Sequence, residues 1–195
     1  MRTVIVRIKG ITPYSASRPV EIERNKAESH EDYDRRIWRE KAHFDAEGNV
    51  YIPGVCFKLA LDEAASMLNE KIKGKGNQTY GKIVSTATVA MSDMFIGVKK
   101  DNLQSINIYA NLDGKRGGST RGNRIFPIVP TWEGDVEFTI FNDELPEEVF
   151  ERYIKQAGLL IGVGRGRPGM KCPAGNGRFA PVSFTWSEME LPLAA

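Results

Sequence analysis

Val4, Val6 and Ile8 alternate with Ile5, Arg7 and Lys9. This period-2 pattern predicts a half-buried strand over residues 3–12, ended by Thr12-Pro13. The stretch from Arg24 to Lys41 mixes six bases with five acids around Tyr33 and Trp38. It can form a short amphipathic helix or a mobile insertion, and is read as a solvated face anchored by Trp38. After Tyr51-Ile52-Pro53-Gly54, the residues Phe57, Leu61, Ala64 and Leu68 recur at spacings of four, three and four. That spacing predicts an amphipathic helix over about 54–72, with Pro53 suited to its first turn and Lys73-Gly74-Lys75-Gly76-Asn77 ending it. Residues 83–91 alternate again and are expected to form a second strand.

Residues 104–112 and 124–132 read as the arms of a β-hairpin, with Pro127 and Pro130 confining the second arm to an edge. Val136, Phe138 and Ile140 mark a further strand. Leu145-Pro146-Glu147-Glu148 opens a helix with acids at its N-terminal end and a buried stripe of Phe150, Ile154, Ala157 and Ile161. Val182, Phe184 and Trp186 define a last strand over about 178–187. Stripped of insertions at about 13–50 and 97–132, the order is βαββαβ, an α+β ferredoxin-like plan in one domain spanning 1–195. Two helices then cover one sheet face. The other is left open, and RRM-type domains use that face for single-stranded RNA.

The composition agrees with one ordinary domain: 195 residues, 41% hydrophobic and 27% charged. Cys56 and Cys172 are too few for a disulfide framework or a structural zinc, which points to a reducing, cytoplasmic setting. The first seven residues carry Arg2 and Arg7 within their apolar run, and no long apolar stretch occurs. Neither export nor a membrane span is expected.

A net charge of +2 conceals strong segregation. Segment 133–152 holds eight acids against Arg152 alone. Three glycine-bearing stretches are free of acids: one with Lys71, Lys73, Lys75 and Lys82, a second with Lys115, Arg116, Arg121 and Arg124, and a third with Arg165, Arg167, Lys171 and Arg178. Glycine lets backbone approach a polyanion and exposes N–H groups, while Arg and Lys attract phosphate. The combination suits a nucleic-acid backbone, although each loop taken alone reads as readily as a solvated turn.

The third stretch, from Gly158 to Phe179, is the densest signal. Gly164, Gly166 and Gly169 match G-x-G-x-x-G, but here the order is helix, loop, strand, whereas a dinucleotide fingerprint needs strand, loop, helix. Gly169 is followed by Met170, Lys171 and Cys172, so a Walker loop is also excluded. A glycine-rich loop between the final helix and final strand, with Ile52-Pro53-Gly54-Val55-Cys56-Phe57-Lys58-Leu59-Ala60-Leu61 at the first helix, resembles the RAMP superfamily of CRISPR systems. The helix start is similar to that family's Ile-Pro-Gly-x-x-x-Lys-Gly-Ala-Leu pattern, with Leu59 replacing the usual glycine. The nearest likeness is to backbone subunits that line up along guide RNA and carry a hairpin thumb between the second and third core strands. The resemblance covers most of the chain in topology and about 30 residues in motif. It implies nucleic-acid contacts from Lys58, Gly164, Arg165, Gly166, Arg167, Lys171 and Arg178, and a hairpin tip (Lys115, Arg116, Arg121, Arg124) that reaches a strand or a neighbouring subunit. A stand-alone, phage-encoded single-strand binder fits it as well as a member of an effector complex.

Catalytic chemistry finds little support. His30 and His43 are the only histidines, both in the charged insertion, and a metal-free ribonuclease would need one as acid or base. Asp32 and Asp34 are the aspartates that the resemblance would offer for cleavage, but Tyr33-Asp34-Arg35-Arg36 reads as local salt bridging. No spaced metal-ligand cluster and no Gly-x-Ser-x-Gly elbow occur. Of the aromatics beside the basic loops, Phe126, Tyr80, Tyr109 and Phe179, the last is the first choice for base stacking, against the equal alternative that it begins the core of the last strand. The expectation is a binder of single-stranded RNA or DNA that associates with itself along the strand, with no catalytic residue, metal or cofactor. Two rivals remain: a metal-independent endoribonuclease, and a phage inhibitor or interaction module imitating a backbone subunit.

Overall fold

The computed structural model describes residues 1–112, 121–170 and 174–189. In chain order the elements are β1 (Arg2–Gly10), β2 (Tyr14–Ser15), α1 (His30–Ile37), β3 (His43–Phe44), β4 (Asn49–Ile52), α2 (Gly54–Leu68) and α3 (Tyr80–Ala87), then β5 (Thr88–Ala90), β6 (Met94–Lys99), β7 (Gln104–Asn111), β8 (Arg121–Val129), β9 (Glu133–Ile140), α4 (Glu147–Gln156) and β10 (Phe179–Glu188). Short 3-10 turns follow α1 and β6, and a π-turn, Ala157–Ile161, extends α4.

The described residues form a mixed α+β structure with three antiparallel sheets, ordered β10-β1-β9-β5, β2-β8-β7 and β3-β4-β6. In the four-stranded sheet Val4 pairs with Trp186 and Phe138, and Val6 with Phe184 and Val136. These side chains share the face covered by α2 and α4, where Phe150 meets Phe138 and Trp186 edge-on at 5.4 and 5.5 Å. Val4, Val6, Ile8, Phe57, Leu61, Phe138 and Phe150 are fully enclosed. Burial of this apolar surface, roughly 1.5–3 kcal/mol per large side chain, dominates stability.

The opposite face differs from an RNA-stacking face. Ile5, Lys9 and Val89 lie exposed there, and Arg7 bridges Glu133 at 2.9 Å and Asp135 at 3.2 Å. It carries carboxylates and no aromatic ring from the paired positions of β1 and β9.

Three of the sequence expectations change. The hairpin arm carrying Pro127 and Pro130 is not an edge, because β8 lies between β2 and β7. Residues 83–91 are not one strand, because α3 occupies Tyr80–Ala87 and only Thr88–Ala90 pairs with β9. Tyr80, Ile83, Val84 and Ala87 also fit helical spacing, with Val84 and Ala87 buried, and the helix lets Gly81 approach the Ala65 carbonyl of α2. The helix from 54 stops at Leu68 because Asn69 turns left-handed (φ 46°) and its N–H returns to Ala65 O at 3.1 Å. The sheet β3-β4-β6 was not anticipated at all; its strands are two to six residues long.

Candidate nucleic-acid interface

The loop between the π-turn and β10 is held by backbone. Val163 N–H donates to Gly177 O, Arg165 N–H to Ser15 O, Gly177 N–H to Pro13 O, and both Ala174 and Asn176 N–H groups to Gly166 O, at 2.7–3.2 Å. Gly164 (φ 79°) sits against the Tyr14 ring, where a Cβ would lie 2.5 Å from its Cε2. Gly177 (φ 72°) is tighter still, a Cβ there falling 1.8 Å from Val163 O. The close approach that these glycines permit is therefore to the protein's own chain. Gly164 and Gly166 shape the loop, and nothing shows their backbone reserved for a polyanion.

Two neighbouring basic segments meet this loop. On one side, the Arg165 guanidinium lies 3.8 Å from the centroid of the Phe126 ring, with Arg124 at 5.4 Å and the Lys41 ammonium at 4.4 Å. Lys41 and Arg124 share a single carboxylate, Asp34, whose Oδ2 is 3.0 and 3.3 Å away and also accepts the Ile125 N–H at 3.0 Å. Lys41 further donates to Ile125 O at 2.7 Å. Asp34 and Lys41 are buried, and removing one partner from such a pair costs about 3–5 kcal/mol. Three cations thus face one anion. Burial lowers the Lys41 pKa, the charges of Arg124 and Arg165 push it the same way, and Asp34 opposes them. Burial and Arg124 likewise lower Arg165, though a guanidinium stays charged. Among the described residues, no carboxylate or hydrogen-bond acceptor meets the Arg165 guanidinium.

On the other side, Arg167 and Lys82 line one open cavity between α2 and α3, together with Leu59, Asp62, Glu63 and Ser66. Arg167 is tied to Glu63 Oε2 at 2.9 Å. The third stretch therefore stands between the other two, with Lys82 on one flank and Arg124 on the other.

Several expected site residues have other tasks. Lys58 pairs with Asp62 and donates to Val84 O and Ser85 O, both at 3.3 Å, near the C-terminal end of α3, where a cation is favoured. Arg178 donates to Leu159 O at 3.1 Å and Gly175 O at 3.4 Å, fastening the loop to the π-turn. Phe179 is a correction: its ring is fully buried, edge-on to Phe57 at 5.5 Å and Trp132 at 6.4 Å, so it begins the core of β10 and offers no face to a base. Lys75 pairs with Glu144, and Lys71 donates to Asn77. Arg121 stacks 5.2 Å from the exposed Tyr109 ring. Lys115, Arg116 and Lys171 lie outside the described residues, as does Cys172.

Sequence reasoning missed Lys41 and misread Asp34. Arg35 and Arg36 do pair locally, with Asp32 and Glu28, but Asp34 reaches across to β8. Its signal was present in helical periodicity: Asp34 lies three residues before the buried Ile37, on the same side of α1. Among the described residues, no group of three or more His, Cys, Asp or Glu side chains is placed to hold a metal ion, and no helix is long and apolar enough to cross a membrane.

No family model and no curated protein matches the sequence. Solved structures do match in fold. A chain of Type III-B Cmr-beta bound to cognate target RNA superposes with a TM-score of 0.55 at 16% identity, over 95% of this chain. This chain spans 61% of that chain's length. Cmr6 from Pyrococcus furiosus aligns over 93% of this chain and 99% of its own, with a TM-score of 0.47 and 14% identity. In fold, the chain is similar to that Cmr-beta chain.

Proposed function

We propose that this protein binds single-stranded nucleic acid through its phosphates, with the Phe126 cluster as the principal contact. The observation that carries the reading is the convergence of Arg124 and Arg165, from two separate segments, on one ring beside Lys41, with Asp34 as the only carboxylate partner among the described residues. A phosphate there supplies a further anion, and an acceptor that the Arg165 guanidinium does not find among the described residues. The planar guanidinium, already held over the Phe126 ring, loses little freedom on binding. The likeness to a Cmr-beta chain, in a structure bound to target RNA, supports the same reading.

In this reading the sheet β10-β1-β9-β5 with α2 and α4 is the βαββαβ core of one domain spanning 1–195, with insertions at about 13–50 and 97–132, and the ribbon β7–β8 is a thumb. The protein acts in the cytoplasm as a binder without a catalytic residue, and lines up along the strand with further copies. Arg167, Lys82 and Arg121 extend the track on either side of the cluster.

The test is a titration of labelled single- and double-stranded RNA and DNA at several salt concentrations, with sizing of the complexes. Single strands bound tightly, with log affinity falling linearly against log salt, support the reading. Absence of binding to every single strand at low salt overturns it. Incubation with labelled RNA in a chelator addresses the ribonuclease alternative, which predicts cleavage lost in His43→Ala.

A further inference from the structure

On the sheet β3-β4-β6, three rings stand in a row across three adjacent strands. His43 pairs with Tyr51, and Tyr51 with Phe95. Ring centroids are 5.7 Å apart for His43–Tyr51 and 5.6 Å for Tyr51–Phe95. Val50, Ile52, Met94 and Ile96 alternate with them and are buried, so the rings occupy the outward face. Phe95 is 51% exposed. Gly97, two residues further on and on the same side, has nothing within 4 Å of where a Cβ would be, which leaves the space beside the Phe95 ring open.

We propose that the His43–Tyr51–Phe95 row is a stacking platform for nucleobases of the strand whose phosphates the Phe126 cluster holds. This rests on the function proposed above and adds a second site with its own ligand chemistry. Continuity between the two comes from Lys41, which belongs to the cluster and lies two residues before His43. The Lys41 carbonyl accepts the Arg18 N–H at 2.8 Å, and the Arg18 guanidinium lies 5.4 Å from the centroid of Phe44, the neighbour of His43. Among the described residues no carboxylate pairs with Arg18, so a cation stands ready between cluster and rings.

The surroundings of Phe95 suit a base better than a phosphate. A hollow of ≈ 430 Å³ beside its ring is lined by Arg7, Asp93, Gly97, Glu133 and Asp135. Three carboxylates against one guanidinium repel a phosphate, but they accept hydrogen bonds from exocyclic amino groups, as carried by cytosine and adenine. Uracil has no such group. The platform therefore favours amino-bearing bases, a preference that the phosphate contacts cannot supply.

The experiment compares oligo(C), oligo(A), oligo(U) and an abasic oligonucleotide of equal length on the wild-type protein, and then on Phe95→Ala and Phe95→Leu. Oligo(C) and oligo(A) are expected to bind several-fold tighter than oligo(U), and all three tighter than the abasic strand. Both variants are expected to lose about 5- to 100-fold in affinity for oligo(C), with the salt slope and abasic binding unchanged. The wild-type comparison needs no variant to fold, and Phe95→Leu keeps apolar bulk while removing the π-face. Salt-dependent binding that ignores both base loss and Phe95 overturns the platform and leaves the phosphate site standing. Failure to bind any strand overturns both.

Discussion

The Arg165 guanidinium lies 3.8 Å over the Phe126 ring centroid, close enough for cation and ring to hold each other in place. Because Phe126 is itself buried, Arg165 is aimed by the core and not by a mobile loop side chain. Arg165→Gln is expected to weaken binding of a single-stranded oligonucleotide roughly tenfold and to reduce the salt slope by about one. Titrations at several salt concentrations check both numbers, and an unchanged slope would remove Arg165 from the interface.

Glu63 competes with any phosphate for Arg167, to which it is bonded at 2.9 Å in a partly exposed pair. Such pairs contribute little to stability, about 0.2–1 kcal/mol. Glu63→Gln is therefore expected to tighten binding roughly two- to fivefold while shifting the urea midpoint little. If affinity falls instead, Arg167 belongs to the scaffold and not to the track.

Phe179 separates core from interface. Phe179→Ala should cost about 3–5 kcal/mol in urea unfolding because it empties a site between Phe57 and Trp132. Phe179→Leu should retain affinity within about twofold, since no base can reach the ring. Loss of affinity in a folded Phe179→Leu protein would contradict its placement.

Burial lowers the His43 pKa, Arg18 adds to the effect, and Asp93 opposes it. The unfolded chain, with an imidazole near 6.5, takes up its proton first as the solution is acidified. Stability contributed by the neutral His43 is thus complete above about pH 6.5 and lost as pH falls toward the lower, folded value. His43→Phe keeps the ring and cannot titrate, so the stability of the wild type relative to this variant is expected to fall between about pH 7 and 5. A pH-independent difference would show that His43 does not titrate differently on folding.

What the sequence disclosed depended on the range of the interaction. Strand β1 and helices α2 and α4 were legible because Val4, Val6, Ile8, Phe57, Leu61, Phe150 and Ile154 bury one face each at regular spacing. Helix α3 was misread because Ile83, Val84 and Ala87 satisfy both periods over so short a run. The sheet β3-β4-β6 escaped because β3 and β4 are only two and four residues long, and in β6 the apolar, outward Phe95 hides the alternation of buried Met94 and Ile96. The site was legible only in part. The three acid-free stretches were visible in the sequence, and Arg124 and Arg165 were among them. Lys58 and Arg178 carry the right charge but spend it on neighbouring carbonyls, a distinction that requires knowing where α3 and the π-turn end. Lys41 and Asp34 lie 84 to 91 residues from the β8 atoms that they meet.

The late loop takes its course from peptide-to-peptide bonds: Val163 to Gly177, Arg165 to Ser15, Gly177 to Pro13, and Ala174 and Asn176 to Gly166. None of these bonds depends on which side chain residue 165 or 167 carries. Those two positions can exchange one cation for another, or for a polar group, while the path of the chain stays put. The described part of the segment is thus a fixed mount with replaceable fittings, so that new side chains at positions 165 and 167 leave the support as it is.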